Sequence, residues 1–225
     1  MKYTDLIEAS DSLSDEEIKM AKLIKRDCQP YLRQNAFSLK QLAMYRGLEP
    51  GEAFTEQYPT VIHKDIRLND RKVSDTDPLI HDFFNIQFTK LYGAPFRNSM
   101  FANGNAGMVF QYGRVYIVFP IGEFKFLWSD VVDDLYVSIS NETWNVFPNG
   151  VPETHKLRDS LKPEQALYKY LNPIAKSYRT DDLMSAIASS KEIMIRGSSY
   201  YGIAKPKTAG TNTSFLDQLH EIIYS

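Results

Sequence analysis

The chain of 225 residues contains a single cysteine, Cys28. One thiol cannot close an intrachain disulfide, and it excludes any zinc site built from several thiolates. Histidine is nearly as scarce. The four present, His63, His81, His155 and His220, have neither HExxH nor HxH spacing, so no dedicated metal centre is expected. No apolar run approaches the roughly 18–20 residues a membrane-spanning helix needs. The opening stretch, MKYTDLIEASDSLSDEE, lacks the apolar core of a secretory signal. Neither GxxxxGK[ST] nor a strand-GxGxxG-helix unit occurs, which argues against P-loop and Rossmann chemistry. The absence of a GxSxG elbow removes support for hydrolysis by a nucleophilic serine. Charge of one sign is also lacking, with 26 Lys and Arg against 28 Asp and Glu. Bulk electrostatic attraction to nucleic acid or membrane is therefore excluded, while a local basic groove is not. The expectation is a soluble protein of a reducing compartment, the cytoplasm, with no metal and no membrane association.

The chain is 43% apolar and 24% charged, enough to bury a full core in one domain with at most a helical appendage. Ser14 followed by Glu17 is a capping box, and Ile18, Ala21, Leu23 and Ile24 continue at helical spacing. A second helix is expected over Ser38 to Met44, and a short strand at Tyr45-Arg46-Gly47. Asp77-Pro78 opens another helix, carried by Phe83, Phe84, Ile86 and Phe88 to Gly93. RNSMFANGNAGMVFQYG reads as a short strand, a turn and a helical turn. VYIVF (115–119), EFKFLW (123–128), LYVSIS (135–140), EIMI (192–195) and YYGIA (200–204) read as strands. Residues 145–163 read as a loop. Helices are expected near 163–171 and 180–188, with a last one from about Thr213. This order predicts an α+β fold: an N-terminal helical segment over 1–44, then a mixed domain over 45–225.

Three stretches stand out in order: Tyr45-Arg46-Gly47, Asn98-Ser99-Met100-Phe101-Ala102, and Ser190-Lys191-Glu192-Ile193-Met194-Ile195. Each alone is weak. Together they place an Arg on a first strand, a Ser on a second strand followed by a helical turn with Tyr112, and a Glu opening a late strand-turn-strand unit. In this order the chain resembles the mono-ADP-ribosyltransferase family over about residues 45–204, in the class with Arg, Ser and Glu motifs. KEIMIRGSSYYGIAK (191–205) carries the likeness most specifically. The resemblance implies a split β-sheet core, NAD as co-substrate, and transfer of ADP-ribose to a macromolecule. It further suggests an intracellular toxin or effector of phage–bacterium conflict in a bacterial host cell, with an inhibitor or antitoxin protein as its partner. The alternatives are a catalytically inactive binding module of the same fold and an unrelated phage structural protein.

The chemistry explains why these residue types are needed. A guanidinium grips pyrophosphate through a planar fork that lysine lacks, the role for Arg46. A carboxylate stabilises the oxocarbenium-like ribose formed as nicotinamide leaves, the role for Glu192. Ser99 would hold that carboxylate. Tyr45 and Gly47 would flank the cofactor, Gly47 by letting main chain approach the nicotinamide amide, and Phe101 or Tyr112 would stack on its ring. Two departures from the family pattern matter. Ser190 stands where arginine-specific members carry a second carboxylate, which disfavours an arginine acceptor and leaves RNA, DNA or another protein side chain. Met100-Phe101 replaces the small hydroxyl residue expected after Ser99.

His63, Lys64, Arg67, Arg71 and Lys72 crowd one polar stretch. It reads either as a solvated loop with local ion pairs or as a basic lip for NAD phosphates or a polyanionic acceptor. Arg67 is the runner-up to Arg46 and, with Arg71 and Ser190, a candidate for acceptor binding. Asp130, Asp133 and Asp134 read as a turn and a cap rather than a metal site. Trp128 and Trp144 read as core or pocket wall.

Overall fold

The capping box forms as its spacing predicts: Ser14 N and Oγ both donate to Glu17 Oε2 at 2.8 Å, and Ser14 Oγ accepts from Glu17 N. It opens α1 (Asp15–Asp27), followed at once by α2 (Gln29–Asn35), in which Pro30 sits within the first turn where no amide donor is required. These elements come from a computed structural model, which describes residues 13–35, 43–49, 58–69, 76–139, 163–206 and 212–225. The helix expected over Ser38 to Met44, the loop expected over 145–163 and Trp144 lie outside the described residues, apart from Ala43 and Met44, which are not helical, and Pro163, which begins a helix.

The remaining elements are β1 (Tyr45–Leu48), β2 (Val61–Asp65), α3 (Pro78–Tyr92), β3 (Met100–Asn103), α4 (Ala106–Val109) with a 3₁₀ turn at Phe110–Tyr112, β4 (Arg114–Pro120) and β5 (Lys125–Ser129). They continue as α5 (Pro163–Lys176), β6 (Tyr178–Arg179), α6 (Leu183–Ala188), β7 (Glu192–Arg196), β8 (Ser199–Ala204) and α7 (Asn212–Tyr224). The chain is thus mixed α and β with antiparallel strand pairing.

One expectation is corrected. Residues 135–139 are helical, not a strand. Asp134 Oδ1 accepts from Val137 N at 3.0 Å, and Ser138 N donates to Asp134 O. Leu135 and Ile139 are buried while Tyr136 and Val137 are exposed. That is i, i+4 burial behind an Asp cap, which a β-rich composition conceals. The cap reading of Asp134 therefore holds.

The fold divides into two units interleaved along the chain. The first takes the described residues up to Asp65, Asn105–Phe124 and Gly197–Ser225; the second takes Ile66–Gly104 and Lys125–Arg196. Within the first, four strands run in the order β2-β8-β4-β1. Helix α1 packs on α7 and β8, so the N-terminal helices are built into this unit. Tyr31 of α2 meets Phe119 of β4 edge-on at 5.8 Å.

Within the second unit the order is β3-β7-β5-β6. Helices α3 and α5 pack on each other, and Ile80, Phe84 and Phe88 of α3 join Leu167 and Leu171 of α5 and Leu127 and Met194 of the sheet in one apolar cluster. Asp77 Oδ1 accepts from Leu79 N at 2.8 Å, Pro78 starts α3, and Gly93 closes it in the left-handed conformation.

Candidate active site

Strand register sets the site in the second unit. Asn103, the last residue of β3, lies directly across from Glu192, the first of β7. On the other side of β7, Trp128 pairs with Ile193, and continuing that register one step brings Ser129 level with Glu192. Ser129 in turn pairs with Tyr178 of β6. Tyr178, Ser129, Glu192 and Asn103 therefore form one transverse row across four strands. Residues level with each other in adjacent strands project to the same face.

The row is built where the apolar face ends. Tyr178 is only 5% exposed and belongs to the cluster with Phe84, Phe88, Leu127 and Met194, whereas Glu192 is half-buried. Asn103 Nδ2 donates to Ser190 O at 3.0 Å. Ser129 Oγ lies 3.1 Å from Ser177 O and accepts from Val131 N and Val132 N at 3.2 Å. Two members of the row are thus committed to main chain. Glu192 N donates to Asp133 O at 2.9 Å, and the Lys191 ammonium meets Asp133 Oδ1 at 2.7 Å, which ties the start of β7 to the 130–134 turn. Gly104 follows Asn103 because a Cβ there would collide with the carbonyl of Ile187 at the end of α6.

Charge gathers at this end of the face. Burial pushes the Tyr178 phenol well above its ordinary value, the negative charge of Glu192 pushes the same way, and Arg97 opposes both. Arg97 is buried, donates from Nη2 to Thr76 Oγ1 at 3.1 Å, and lies over the Phe101 ring at 5.3 Å. A carboxylate on a half-buried residue, beside a buried phenol, can stabilise a cation that develops on a bound molecule.

Ser99 lies elsewhere. It precedes β3, is buried, and stands four residues before Asn103, roughly 13 Å along an extended chain. Its surroundings are the turn organised by Asn85, Asn98 and Arg196. Arg97 N donates to Asn85 Oδ1 at 2.9 Å, and Arg196 Nη1 donates to Asn98 O at 3.2 Å. The side chain across from Glu192 on β3 is Asn103, which the sequence reading did not single out. It is findable only by counting register back from Glu192. Ser129 and Tyr178 were missed as well.

The first unit positions Arg46 on β1, across from Tyr116 of β4. Burial pushes the Tyr200 phenol up, and the nearby Arg46 guanidinium, chiefly through its charge, partly offsets that push. Gly47 has a packing reason: a Cβ there would collide with Val109 O and come within 2.9 Å of Tyr112 Cβ, so the bare position lets the helical turn at 106–112 lie on β1. Tyr45 is half-buried, with its phenol raised by burial, and Tyr112 is half-exposed. Arg67 is exposed, and Arg71 lies outside the described residues.

Among the described residues no three His, Cys, Asp or Glu side chains gather as a metal site. No described helix is long and apolar enough to cross a membrane. Compared with protein-family models, with curated proteins and with solved structures, the chain matches none.

Proposed function

We propose that the protein is a mono-ADP-ribosyltransferase that takes NAD as co-substrate and modifies a macromolecule. The observation that carries this reading is the row at the head of β7, where the half-buried Glu192 is level with Asn103, Ser129 and Tyr178. The residues present fit the group. Cleavage of the nicotinamide–ribose bond leaves positive charge on the ribose, and a fixed carboxylate accessible from one side lowers the energy of that charge. NAD supplies the bond that breaks, while Glu192 supplies the negative charge. The strand pairing and the bond from Glu192 N to Asp133 O hold the main chain of Glu192 before the reaction begins, and the Asn103 side chain holds Ser190 two residues earlier.

The same reading gives Arg46 the grip on the pyrophosphate, since its guanidinium presents a planar fork and lies near the Tyr200 phenol. Ser190, two residues before Glu192, offers no carboxylate, which favours an acceptor other than an arginine side chain. An RNA, a DNA or another protein group remains in play, and an effector acting inside a bacterial cell fits such a target.

The test is incubation with biotinylated NAD and bacterial lysate, followed by parallel nuclease and protease treatment. Label on a macromolecule is expected with the wild type and none with Glu192→Gln, which keeps shape and removes charge. Loss of label to nuclease identifies a nucleic-acid acceptor, and loss only to protease identifies a protein. Equal labelling by Glu192→Gln would overturn the proposal.

A further inference from the structure

We propose that Tyr178 is a positioning residue for Glu192, its hydroxyl steering the carboxylate along the transverse row of the second unit's sheet. This inference rests on the transferase reading and adds to it a residue that no motif marks.

The argument starts from the backbone. Tyr178 and Glu192 flank the Ser129 position on adjacent strands, so their Cα atoms stand two interstrand spacings apart, about 10 Å. The residue between them is short, and its hydroxyl is bound to main chain. A tyrosine side chain is long enough to reach over it. The phenol ring is fixed from below by Phe88, with ring centroids 5.1 Å apart, and the Tyr178 carbonyl accepts from Tyr92 Oη at 2.8 Å. The ring therefore has little freedom to turn away.

The hydroxyl at the end of that ring is buried and has no hydrogen-bond partner among the described residues. A buried hydroxyl without a partner is destabilising, so proteins seldom keep one where phenylalanine would serve. Phenylalanine would complete the same aromatic cluster. The charged and titratable groups around the phenol are Glu192 from β7, Arg97 from the segment before β3, Asp134 from the 130–134 turn and Tyr92 from α3; the Lys191–Asp133 pair adjoins Glu192 at the head of β7. Glu192 is the foremost charge acting on it, after burial itself. When the carboxylate swings toward a bound ribose, the phenol donates to one of its oxygens and leaves the other facing the substrate. A hydrogen bond to the ionised form also favours ionisation.

The experiment compares nicotinamide release from NAD, and its pH dependence, in the wild type, Tyr178→Phe and Glu192→Gln. For Tyr178→Phe, kcat is expected to fall about tenfold with KM for NAD nearly unchanged, as loss of a hydrogen bond to a charged group predicts. The acidic limb of its kcat profile is expected to move to higher pH, because the carboxylate loses a donor. Its melting temperature is expected to match or exceed the wild type. A wild-type kcat with an unmoved acidic limb would overturn the inference, and so would a lowered melting temperature, which would show that the hydroxyl has a structural partner. If the wild type releases nicotinamide, Glu192→Gln does not, and Tyr178→Phe is undiminished, the positioning role alone fails. If the wild type releases none, with or without lysate, the transferase reading fails and takes this role with it.

Discussion

The side-chain amide of Asn103 donates to the main-chain carbonyl of Ser190 at 3.0 Å, joining the end of β3 to the residue two places before Glu192. Ser190 has φ +57, a conformation that costs a non-glycine residue about 1 kcal/mol or more. The tight turn out of α6 into β7 is therefore strained, and Asn103 helps to hold it. Asn103→Ala is expected to lower stability by about 1 kcal/mol in urea unfolding. Ser190→Gly is expected to raise it by a similar amount, because glycine adopts positive φ without penalty. The two substitutions together should leave stability near the wild type while nicotinamide release stays low, since the glycine turn no longer fixes the head of β7. Full release by the double variant would remove Asn103 from the positioning machinery.

Gly47 gives a prediction about folding alone. A methyl group there would overlap the Val109 carbonyl oxygen and crowd Tyr112, and both are main-chain or main-chain-proximal atoms that cannot swing aside. Gly47→Ala is expected to cost about 2–3 kcal/mol, the range for overpacking a tight contact, read as a lower urea midpoint with unchanged slope. A neutral effect would mean that the helical turn at 106–112 does not lie on β1 as described.

Much of this architecture was legible locally, and the rest was not, for identifiable reasons. VYIVF, EFKFLW, EIMI and YYGIA are dense in β-branched and aromatic residues, and β4, β5, β7 and β8 fall on or beside them. The strand β2, Val-Ile-His-Lys-Asp, has one apolar pair in a charged stretch and forms only because β8 offers it a partner. The strand β6 is two residues long and pairs with β5 some 50 positions away, a contact no window reveals. Glu192 stood out because an apolar strand follows it. Asn103 did not, because a serine four residues earlier offered the expected hydroxyl, and register is a property of two strands rather than one. Tyr178 carries no local signal at all. Its importance comes from lying level with Glu192 across a strand that separates them.

Cys28 predicts a pH dependence unrelated to catalysis. The thiol is fully buried, and burial pushes it up to about 12, with the nearby Asp27 charge adding to the shift. In the unfolded chain it ionises near its ordinary value of about 8.5. Stability from this group is therefore whole below that value and falls as pH rises toward the folded value, because the unfolded state has then released a proton the native state keeps. The unfolding free energy is expected to be about 1 kcal/mol lower at about pH 9.5 than at about pH 8. Cys28→Ala should flatten that difference. Alkylation by iodoacetamide in native buffer should be slow and become complete only in denaturant. Rapid labelling of the native protein would contradict the burial.

Arg46 separates binding from charge alone. It lies across from Tyr116, and its charge acts on the phenol of Tyr200, a buried side chain. Lysine at this position keeps the positive charge but presents a single ammonium in place of two parallel donors. If Arg46 grips a pyrophosphate, Arg46→Lys should raise KM for NAD about tenfold, the cost of one lost charge-assisted bond, while kcat changes less. Tyr200→Phe leaves the guanidinium intact and removes only the hydroxyl near it, so a smaller rise is expected, with melting temperature nearly unchanged. The order of the two effects matters more than their size. A larger loss from Tyr200→Phe than from Arg46→Lys would mean that the pair serves the fold, and calorimetry showing unaltered NAD binding by Arg46→Lys would assign the phosphate contact to another residue.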